Sequence, residues 1–512
     1  MTELPPLIQQ MLQPGFYPHQ VIEPIELIQT HISYVLLTGD YAYKIKKPVN
    51  FGFLDFSTLD KRQHFCAEEL RMNQRGAPDI YLEVLPITEQ AGFQLGGTGQ
   101  PVEYALKMRQ FPQAALLLTM FEQGKLSEAH MEELGRVVAQ YHAKAQTNDY
   151  IRSFGEVVQV REAIDENYEQ TMKYIGTAQT QLQFEETKQY TDNFFAEQPQ
   201  LFTKRIADHK IRECHGDLHL RNICLWQDKI LLFDCIEFNE PFRFVDVMYD
   251  VAFTVMDLEA RQRPDLGNAF LNTYVEQTGD WEGLQVLPLY LSRQAYVRAK
   301  VNSFLLDDPA VPAAVKEEAI ATAAHYYKLA WQYTKPRNGR LILMSGLSGS
   351  GKSTVARQLA RQLNAIHIRS DAVRKHLGGI KLTERGGDDL YTEQMTQQTY
   401  ERLLGLGIML ASRGFKVILD AKYDRASLRT DAITSAEFQQ FPLQILHCTA
   451  PIHILRDRLA SRTNDIADAT ADLLETQQAT AESFTEMERP YVQTLDTSQP
   501  LEEQLKLAIK DK

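Results

Sequence analysis

The sequence is poor in cysteine, and its cysteines lack the spacing of a metal site or a disulfide framework. Five occur in 512 residues, none forms a Cys-x-x-Cys pair, and the number is odd. Zinc sites use closely spaced thiolates, and small secreted domains use many paired cysteines. We therefore expect reduced thiols that pack as small apolar side chains at Cys66, Cys214, Cys224, Cys235 and Cys448.

Long apolar runs and an excess of positive charge are also missing. No stretch reaches the roughly eighteen apolar residues of a membrane span, and the first residues, MTELPPLIQQ, do not resemble a secretory signal. The formal net charge is −13, whereas proteins that coat nucleic acid present Lys and Arg to the phosphate backbone. We expect a cytoplasmic protein without a membrane partner, and the composition disfavours nucleic acid. A local basic pocket for a small anion stays compatible with this charge.

The chain is longer than one ordinary hydrophobic core allows, which indicates two or three domains. Residues 334–339, TKPRNG, combine proline, glycine and charge between a long helical stretch and a sharp apolar run. We therefore predict an N-terminal domain over residues 1–333, a linker over 334–339 and a C-terminal domain over 340–512.

The periodicity differs between these two domains. Short β-type runs dominate the first 110 residues, one helical pattern covers 61–73, and the pattern then becomes mainly helical. This order predicts an α+β domain with a β-rich small lobe and a helical large lobe. The C-terminal domain alternates helix-length segments with apolar strands, which predicts an α/β fold with a parallel sheet. The strand candidates are Leu341–Ser345, Ala365–Arg369, Lys416–Asp420, Leu443–Cys448 and Tyr491–Leu495.

The first of these strands leads into GLSGSGKS, residues 346–353, which matches G-x-x-x-x-G-K-[ST] between a strand and a helix. Glycines there let backbone N–H groups turn towards phosphate oxygens, and the helix N-terminus favours negative charge. Lys352 can reach the β- and γ-phosphates of ATP, and the Ser353 hydroxyl can ligate Mg²⁺. The candidate nucleotide-binding residues are Gly346, Gly349, Ser350, Gly351, Lys352, Ser353 and Thr354.

Acidic and basic residues follow the later strands of this domain. Asp371 follows the second strand, at the sheet edge where open α/β folds bind ligands, and it can accept a proton from an acceptor hydroxyl. Asp420 ends the next strand and is a candidate partner of Mg²⁺. Arg458 and Arg462 lie at helical spacing beyond the fourth strand, where they could stabilise a transferring phosphoryl group or simply face solvent.

These motifs resemble the P-loop small-molecule kinases grouped with polynucleotide kinase, zeta toxins and gluconate kinase. The resemblance is carried by GLSGSGKST, by SDAVRK at 370–375, by VILDA at 417–421 and by RDRLASR at 456–462. It implies ATP as donor, a hydroxyl acceptor, Asp371 as base and Arg458 or Arg462 as an arginine of the lid. The acceptor itself stays open, because acceptors in this group range from sugars to nucleotide ends.

A second constellation lies upstream, in HGDLHLRN at 215–222 and LLFD at 231–234. Its spacing matches the H-x-D-x-x-x-x-N catalytic loop of protein-kinase-type enzymes, with a second acid after a hairpin-length gap. Such chemistry needs one carboxylate at the acceptor hydroxyl, here Asp217. It also needs hard oxygen ligands for Mg²⁺, here Asn222 and Asp234.

This region, over roughly residues 25–330, resembles the aminoglycoside phosphotransferase-like kinases. The resemblance implies a lysine that grips the α- and β-phosphates and pairs with a helix glutamate. We favour Lys44, with Lys46 as the alternate, and Glu69 over Glu68. It also implies a hinge near Met108 whose backbone reads adenine. The nucleotide-covering loop would fall near residues 37–40, where a full glycine-rich motif is missing.

The whole chain resembles bacterial proteins described as bifunctional aminoglycoside phosphotransferase/ATP-binding proteins. We therefore expect a kinase with ATP and Mg²⁺ as cofactors, two active sites and small-molecule hydroxyl acceptors as partners. An alternative is an ATP-binding regulator in which one or both sites sense nucleotide or modify protein. Neither the acceptors nor the oligomeric state follows from the sequence.

Overall fold

The computed structural model describes residues 4–462 and 465–509. The chain forms two compact units. The first combines the segments up to Leu126, Gln140–Glu169 and Phe195–Asp257, and the second combines Ser127–Ala139, Gln170–Phe194 and the chain from Leu258 onward. Residues 258–333, which precede the proposed linker, are thus part of the second unit, and the domain limits stay a prediction. None of the described helices is both long and apolar enough to cross a membrane.

The first unit begins with an antiparallel sheet in the strand order β1-β2-β3-β6-β4-β5. Because side chains alternate along a strand, Tyr43 and Ile45 of β3 enter one apolar core, whereas Lys44 and Lys46 share the opposite face. The elements of this region are α1 (Pro6–Met11), β1 (Glu26–Gln29), β2 (Ser33–Leu37), β3 (Tyr41–Lys46), α2 (Leu59–Asn73), β4 (Tyr81–Glu89), β5 (Phe93–Leu95) and β6 (Pro101–Arg109).

The middle of the chain is mainly helical, as its periodicity predicts, with two short strand pairs. These elements are α3 (Leu117–Glu122), α4 (Glu128–Lys144), α5 (Asp149–Ser153), α6 (Val157–Thr171), α7 (Gln181–Glu197), α8 (Pro199–Ala207), β7 (Ile211–Glu213), β8 (Ile223–Trp226), β9 (Lys229–Leu232), α9 (Glu240–Arg243), β10 (Phe244–Asp246), α10 (Val247–Ala260), α11 (Pro264–Thr278), α12 (Leu287–Phe304) and α13 (Ala313–Tyr333).

Strands β8 and β9 form a tight hairpin that positions two predicted metal ligands. Its turn residues Gln227 and Asp228 both have positive φ, of 51° and 59°, which suits the twist of a two-residue hairpin. The antiparallel pairing brings the residue before β8, Asn222, beside the chain that leaves β9. The Phe233 N–H donates to the Asn222 carbonyl at 3.0 Å, so Asn222 and Asp234 lie at the same end of the hairpin.

The C-terminal sheet is parallel throughout, in the order β12-β13-β11-β14-β15. Each predicted strand is present within about one residue of its expected bounds, and the predicted fold classes are confirmed. The elements are β11 (Arg340–Ser345), α14 (Lys352–Leu363), β12 (Ile366–Arg369), α15 (Ser370–Leu377), α16 (Glu393–Ser412), β13 (Lys416–Asp420), α17 (Ala426–Phe438), β14 (Leu443–Thr449), α18 (Ile452–Ser461), α19 (Leu474–Thr480), β15 (Val492–Asp496) and α20 (Leu501–Ile509).

One face of this sheet packs against α14 and α20. Ile342, Ile418 and Leu446 from three neighbouring strands contact Leu359 of α14 and Leu505 of α20 in a single buried cluster. The five cysteines are likewise buried and outside any disulfide, as expected. Because α14 starts at the phosphate-binding loop, this packing also fixes the direction in which the loop faces.

Truncation of the core tests this packing. Leu446 is fully buried (0% exposed), and Leu446→Ala should lower the free energy of unfolding of this unit by about 2–5 kcal/mol, because a cavity replaces the lost methyl groups. Leu507 of α20 is 39% exposed, so Leu507→Ala is the matched control and should change it by less than about 0.5 kcal/mol. Urea denaturation of both full-length variants measures the difference, and equal losses would contradict the assigned core.

Candidate active sites

The catalytic-loop segment at 215–222 is held in place by one face of α10. Asp250 accepts the N–H of His215 at 2.7 Å and that of Gly216 at 2.8 Å. One and two turns later, Thr254 and Asp257 bond the backbone of Leu218 and Leu220, at 2.7 and 3.1 Å. The roles of Thr254 and Asp257 were not predicted from the sequence, although their spacing with Asp250 along one helix face was a readable signal.

Asp250 is buried, so its ionised form depends on these donors. Burial alone would raise the pKa of this carboxyl group, but the hydrogen bond and charge of His142, the charge of His215 and its backbone N–H hold the pKa below its ordinary value. The His142 Nε2 atom lies 3.2 Å from the carboxylate. A buried ion with several donors is rigid, and the loop that carries Asp217 is therefore preorganised.

The predicted catalytic and metal-binding residues of this unit converge. The Asn222 side-chain amide donates to the carboxylate and to the backbone carbonyl of Asp217, both at 3.0 Å. Asp234 is about half exposed and accepts from Lys44 at 2.9 Å. Carboxylate and amide oxygens at one end of a hairpin suit Mg²⁺, so Asn222 and Asp234 fit the ion that the family implies.

Both lysines that the sequence left as alternatives bond Glu69. Lys44 donates to one carboxylate oxygen and Lys46 to the other, each at 2.6 Å. Burial alone would raise the pKa of Glu69, but the two ammonium groups lower it to about 2. Lys44 also reaches Asp234, whereas Lys46 is only 2% exposed and reaches Glu237. Glu68 instead pairs with Arg71 at 2.8 Å, away from the lysines.

A cavity of about 430 Å³ opens beside Lys44, Asp217 and Asp234. That volume lies within the range of small-ligand pockets. Its apolar lining, which suits a flat heteroaromatic ring, includes Val35, Leu37, Ala42, Ile80, Met108, Phe111 and Phe233. Met108 thus lies where the hinge was expected.

The covering loop near residues 37–40 stays a prediction. Leu37 lines the cavity, and in the β2–β3 turn the Gly39 N–H bonds the side chain of Gln110 at 2.9 Å. Thr30 and Ile32 of the β1–β2 connection and Ser33, the first residue of β2, also line the cavity. The sequence did not indicate this contribution because β1 lacks a strong sequence pattern.

In the second unit, the phosphate-binding loop has a backbone conformation and close contacts that require glycine. Gly346 has φ +132°, and a Cβ atom there would lie 2.3 Å from the Cys448 carbonyl oxygen. Gly349 and Gly351 also have positive φ, of 78° and 83°, and Gly351 precedes the first turn of α14. The loop is therefore a tight cradle before a helix N-terminus, which is an anion-binding arrangement.

Lys352 points back into this loop. Its ammonium group donates to the carbonyl oxygens of Gly346 and Leu347, each at 2.8 Å. Burial lowers the pKa of Lys352, and the charges of Asp420 and Asp371 offset this only in part. Ser350 is buried, and Thr354 is exposed on the first turn of α14.

Asp420 lies beside Ser353, at the carboxyl end of β13, the strand between β12 and β11. It accepts a hydrogen bond from the Ser353 hydroxyl and one from His367 at 3.0 Å. Burial alone would raise the pKa of Asp420, but His367, Arg369 and Ser353 lower it to about 2. A carboxylate beside the predicted Mg²⁺ ligand Ser353 fits the second coordination sphere of that ion. His367 was not singled out from the sequence.

Asp371 is the second residue of α15, which begins directly after β12, and it lies near the same edge of the sheet. Burial, followed by the negative charges of Asp420 and Asp465, raises the pKa of Asp371, although Arg369 and Arg374 oppose this shift. A carboxylate with a raised pKa is a stronger proton acceptor. Arg374, also on α15, bonds the Leu390 carbonyl at 2.7 Å.

The two candidate lid arginines occupy different places. Arg458 of α18 donates to the Thr497 carbonyl at 2.6 Å and reaches the Gly349 carbonyl at 3.4 Å, so it contacts the outer side of the phosphate-binding loop. Arg462 ends the same helix and bonds the carbonyl groups of Ala467 and Ala469. Arg458 is thus beside the nucleotide cradle, whereas the contacts of Arg462 are with residues 467 and 469.

Comparison with known proteins identifies two domains in the chain. Residues 85–287 match the family described as "Phosphotransferase enzyme family", and residues 341–484 match the family described as "AAA domain". The first match includes Asp217, Asn222 and Asp234, and the second includes the phosphate-binding loop and Asp371. Both matches agree with the expected resemblance.

Similar proteins span one or both domains. "Uncharacterized protein Rv2004c" of Mycobacterium tuberculosis is 31% identical over 453 residues, which is 88% of each chain. "Shikimate kinase" of Geobacter sulfurreducens is 28% identical over 156 residues, covering 28% of this chain and 78% of that protein. A choline/ethanolamine kinase family protein from Mesorhizobium loti has a structure that covers 64% of this chain and 98% of its own, with 10% identity and a TM-score of 0.39.

Substitution of one glycine tests the cradle. Gly346→Ala should weaken nucleotide binding at this loop at least about tenfold, or about 1.4 kcal/mol, because the added Cβ has no room. Titration with a fluorescent ATP analogue measures this in full-length protein that also carries Lys44→Ala to weaken the other site. Gly405→Ala in α16 is the control, because its Cβ meets no atom within 4 Å. Equal affinity of the two variants would contradict the assignment.

Proposed function

Because this chain belongs to the family in which a phosphotransferase-type kinase domain precedes a P-loop kinase domain, we propose that it is a bifunctional ATP-dependent phosphotransferase. Each site transfers the γ-phosphate of ATP to a hydroxyl group of a small molecule, and each depends on Mg²⁺. Both sites use ATP as the phosphate donor, but they lie in domains of different folds, so they can take different acceptors.

One observation carries the proposal. Each unit has its own candidate base, and beside that base it has its own candidate residues for binding phosphate and Mg²⁺. Asp217 stands beside Asp234 and Lys44 in the first unit. In the second unit, Asp371 stands near Asp420, which bonds Ser353 of the phosphate-binding loop. A protein that only senses nucleotide needs the cluster but not the base.

The residues of each site have separate roles in the transfer of the phosphoryl group. The base accepts the proton of the acceptor hydroxyl as that oxygen attacks the γ-phosphorus, and the bond to the β–γ bridging oxygen breaks. Lys44 in one site, and Lys352 with the glycine cradle in the other, bind the phosphate oxygens. Mg²⁺ would be held by Asn222 and Asp234 in the first unit and by Ser353 in the second, and it neutralises phosphate charge.

Removal of each base tests the two-site assignment. Full-length protein is incubated with γ-³²P-ATP and a small-molecule fraction of cell extract, and labelled products are separated. Asp217→Ala should remove one set of products and Asp371→Ala another, each by at least about a hundredfold, which matches the contribution of general base catalysis. Asp431→Ala, an exposed carboxylate on α17, is the control and should retain both sets.

The outcomes separate the proposal from its alternative. Unchanged products in both base variants would contradict the two-kinase function. Tight ATP binding without transfer in the unmodified protein would favour a nucleotide-sensing regulator, and label on the protein itself would favour protein modification.

The raised pKa of Asp371 predicts the pH dependence of the second site. The base works when deprotonated, so transfer is full above this pKa and declines as the pH falls through it. Asp465 contributes to the raised value and pairs with Arg369. Asp465→Asn removes a negative charge near Asp371. It also removes the ion-pair partner of Arg369, so the positive charge of Arg369 acts more strongly on Asp371. Both effects lower the pKa of Asp371. The acidic limb of the rate profile should therefore move to lower pH.

The profile is measured on Asp371-dependent products, in protein carrying Asp217→Ala. Asp457→Asn on the exposed side of α18 is the control and should leave the limb in place. A limb that moves to higher pH, or does not move, would contradict the electrostatic assignment of Asp371.

A further inference from the structure

Lys46 is a buried cation that the phosphate-gripping role does not use. Lys44 lines the cavity beside Asp217 and Asp234, whereas Lys46, two residues later on the same face of β3, does not. The Lys46 ammonium group is 2% exposed, donates to Glu69 at 2.6 Å and lies 4.5 Å above the centre of the Phe56 ring. A charge held this deeply needs specific partners, and its second partner is informative.

That second partner is Glu237, three residues after the metal-binding carboxylate Asp234. Lys46 donates to the Glu237 carboxylate, which is also buried. One end of the segment 234–237 is thus tied to Lys44 and the other end to Lys46. Both lysines are tied in turn to the two oxygens of Glu69 on α2.

These contacts close a ring. It runs from Lys44 to Glu69, Lys46 and Glu237, then along the backbone to Asp234, and back to Lys44 through a 2.9 Å ion pair. Every link involves an ionic contact or a covalent bond. We call these five residues the charge ring.

Three further hydrogen bonds hold the backbone of residues 234–236 within the charge ring. The N–H of Asp234 bonds the Tyr81 hydroxyl at 3.2 Å, that of Cys235 bonds the Asn73 side chain at 2.9 Å, and that of Ile236 bonds the His215 carbonyl at 3.0 Å. Asp234 itself has φ +60°. A non-glycine residue keeps this conformation only where its surroundings over-determine it.

We propose that Lys46 and Glu237 are positioning residues that hold Asp234 and Lys44 in their metal- and phosphate-binding arrangement before nucleotide arrives. This role rests on the proposed function of the first site. Lys46 does not line the cavity, whereas Glu237 lies at its wall. Lys46 acts by holding Glu237 and therefore the segment that carries Asp234. Loss of this hold leaves the apolar lining of the cavity in place but weakens the contribution of Mg²⁺ to nucleotide binding.

The experiment compares nucleotide affinity with and without Mg²⁺. Full-length protein carries Lys352→Ala so that the P-loop site contributes little binding, and a fluorescent ATP analogue is titrated in Mg²⁺ or in EDTA. Glu237→Ala should reduce the ratio of the two affinities at least about tenfold while the affinity in EDTA changes less than about threefold. This variant leaves Lys46 paired with Glu69, so the remaining ring has balanced charge. Lys46→Met should behave similarly, and Lys46→Arg should retain most of the Mg²⁺ effect.

A double-mutant cycle separates positioning from general damage. Lys46→Met with Glu237→Ala should lower the affinity ratio no further than either change alone, because both break the same link. Additive losses, a full Mg²⁺ effect in Glu237→Ala, or equal losses in Mg²⁺ and EDTA would each overturn the positioning role. Thermal unfolding of each variant confirms that folded protein is compared, and Glu237→Ala decides the matter if Lys46→Met does not fold.

The proposed function can fail separately. Absence of Mg²⁺-dependent nucleotide binding in the Lys352→Ala parent would overturn both the function of the first site and the positioning role. An intact Mg²⁺ effect in the parent that Glu237→Ala and Lys46→Met leave unchanged would overturn only the positioning role.

Discussion

A carboxylate that is buried in a folded protein needs hydrogen-bond donors or cations beside its oxygens. Both units of this protein contain buried carboxylates that have such partners. Asp250 takes backbone N–H groups of the catalytic loop, Glu69 takes two ammonium groups, and Asp420 takes an imidazole and a hydroxyl. In each case the donors lie on other elements of the fold than the carboxylate that they bond. Satisfying the carboxylate therefore fixes the elements against one another, and the reactive residues inherit that geometry.

The two units reach similar chemistry by different backbones. In the first, a two-residue hairpin turn brings Asn222 and Asp234 to one end, and a helix face holds the loop with Asp217. In the second, the parallel register aligns Met344 and Arg369 with Asp420 at the carboxyl edge of the sheet. The parallel strands place their ligands through sheet order, whereas the first unit depends on side-chain contacts between distant segments.

The region beside Asp371 is held together by ion pairs and hydrogen bonds. Asp465 binds Arg369, and Asp468 accepts from Lys375, from the Gly386 N–H at 2.9 Å and from the Tyr391 hydroxyl at 2.7 Å. These contacts tie residues 465 and 468 to the segment that follows Asp371. The surroundings of Asp371 are thus polar and crosslinked.

Most of the second unit could be predicted because its signals are local. Apolar runs of strand length, a glycine-rich loop and an acid at the end of a strand are each contained within about ten residues, and strand order in such folds follows few rules. His367 escaped prediction because its role depends on Asp420, 53 residues away. Thr254 and Asp257 escaped because a polar residue on a helix reveals its partner only when the loop is in place.

The sequence alone determined the two fold classes, and it predicted the phosphate-binding loop and the cluster of Asp217, Asn222 and Asp234, because motif spacing and periodicity are properties of neighbouring residues. Tertiary structure alone decided which lysine faces the cavity, which residues line it and which carboxylates share a cation. Strand alternation places Lys44 and Lys46 on the same face, so the chain near them cannot distinguish their roles. Asp234 and Glu237 make that distinction, and they reach β3 only through folding that joins residues about 190 positions apart.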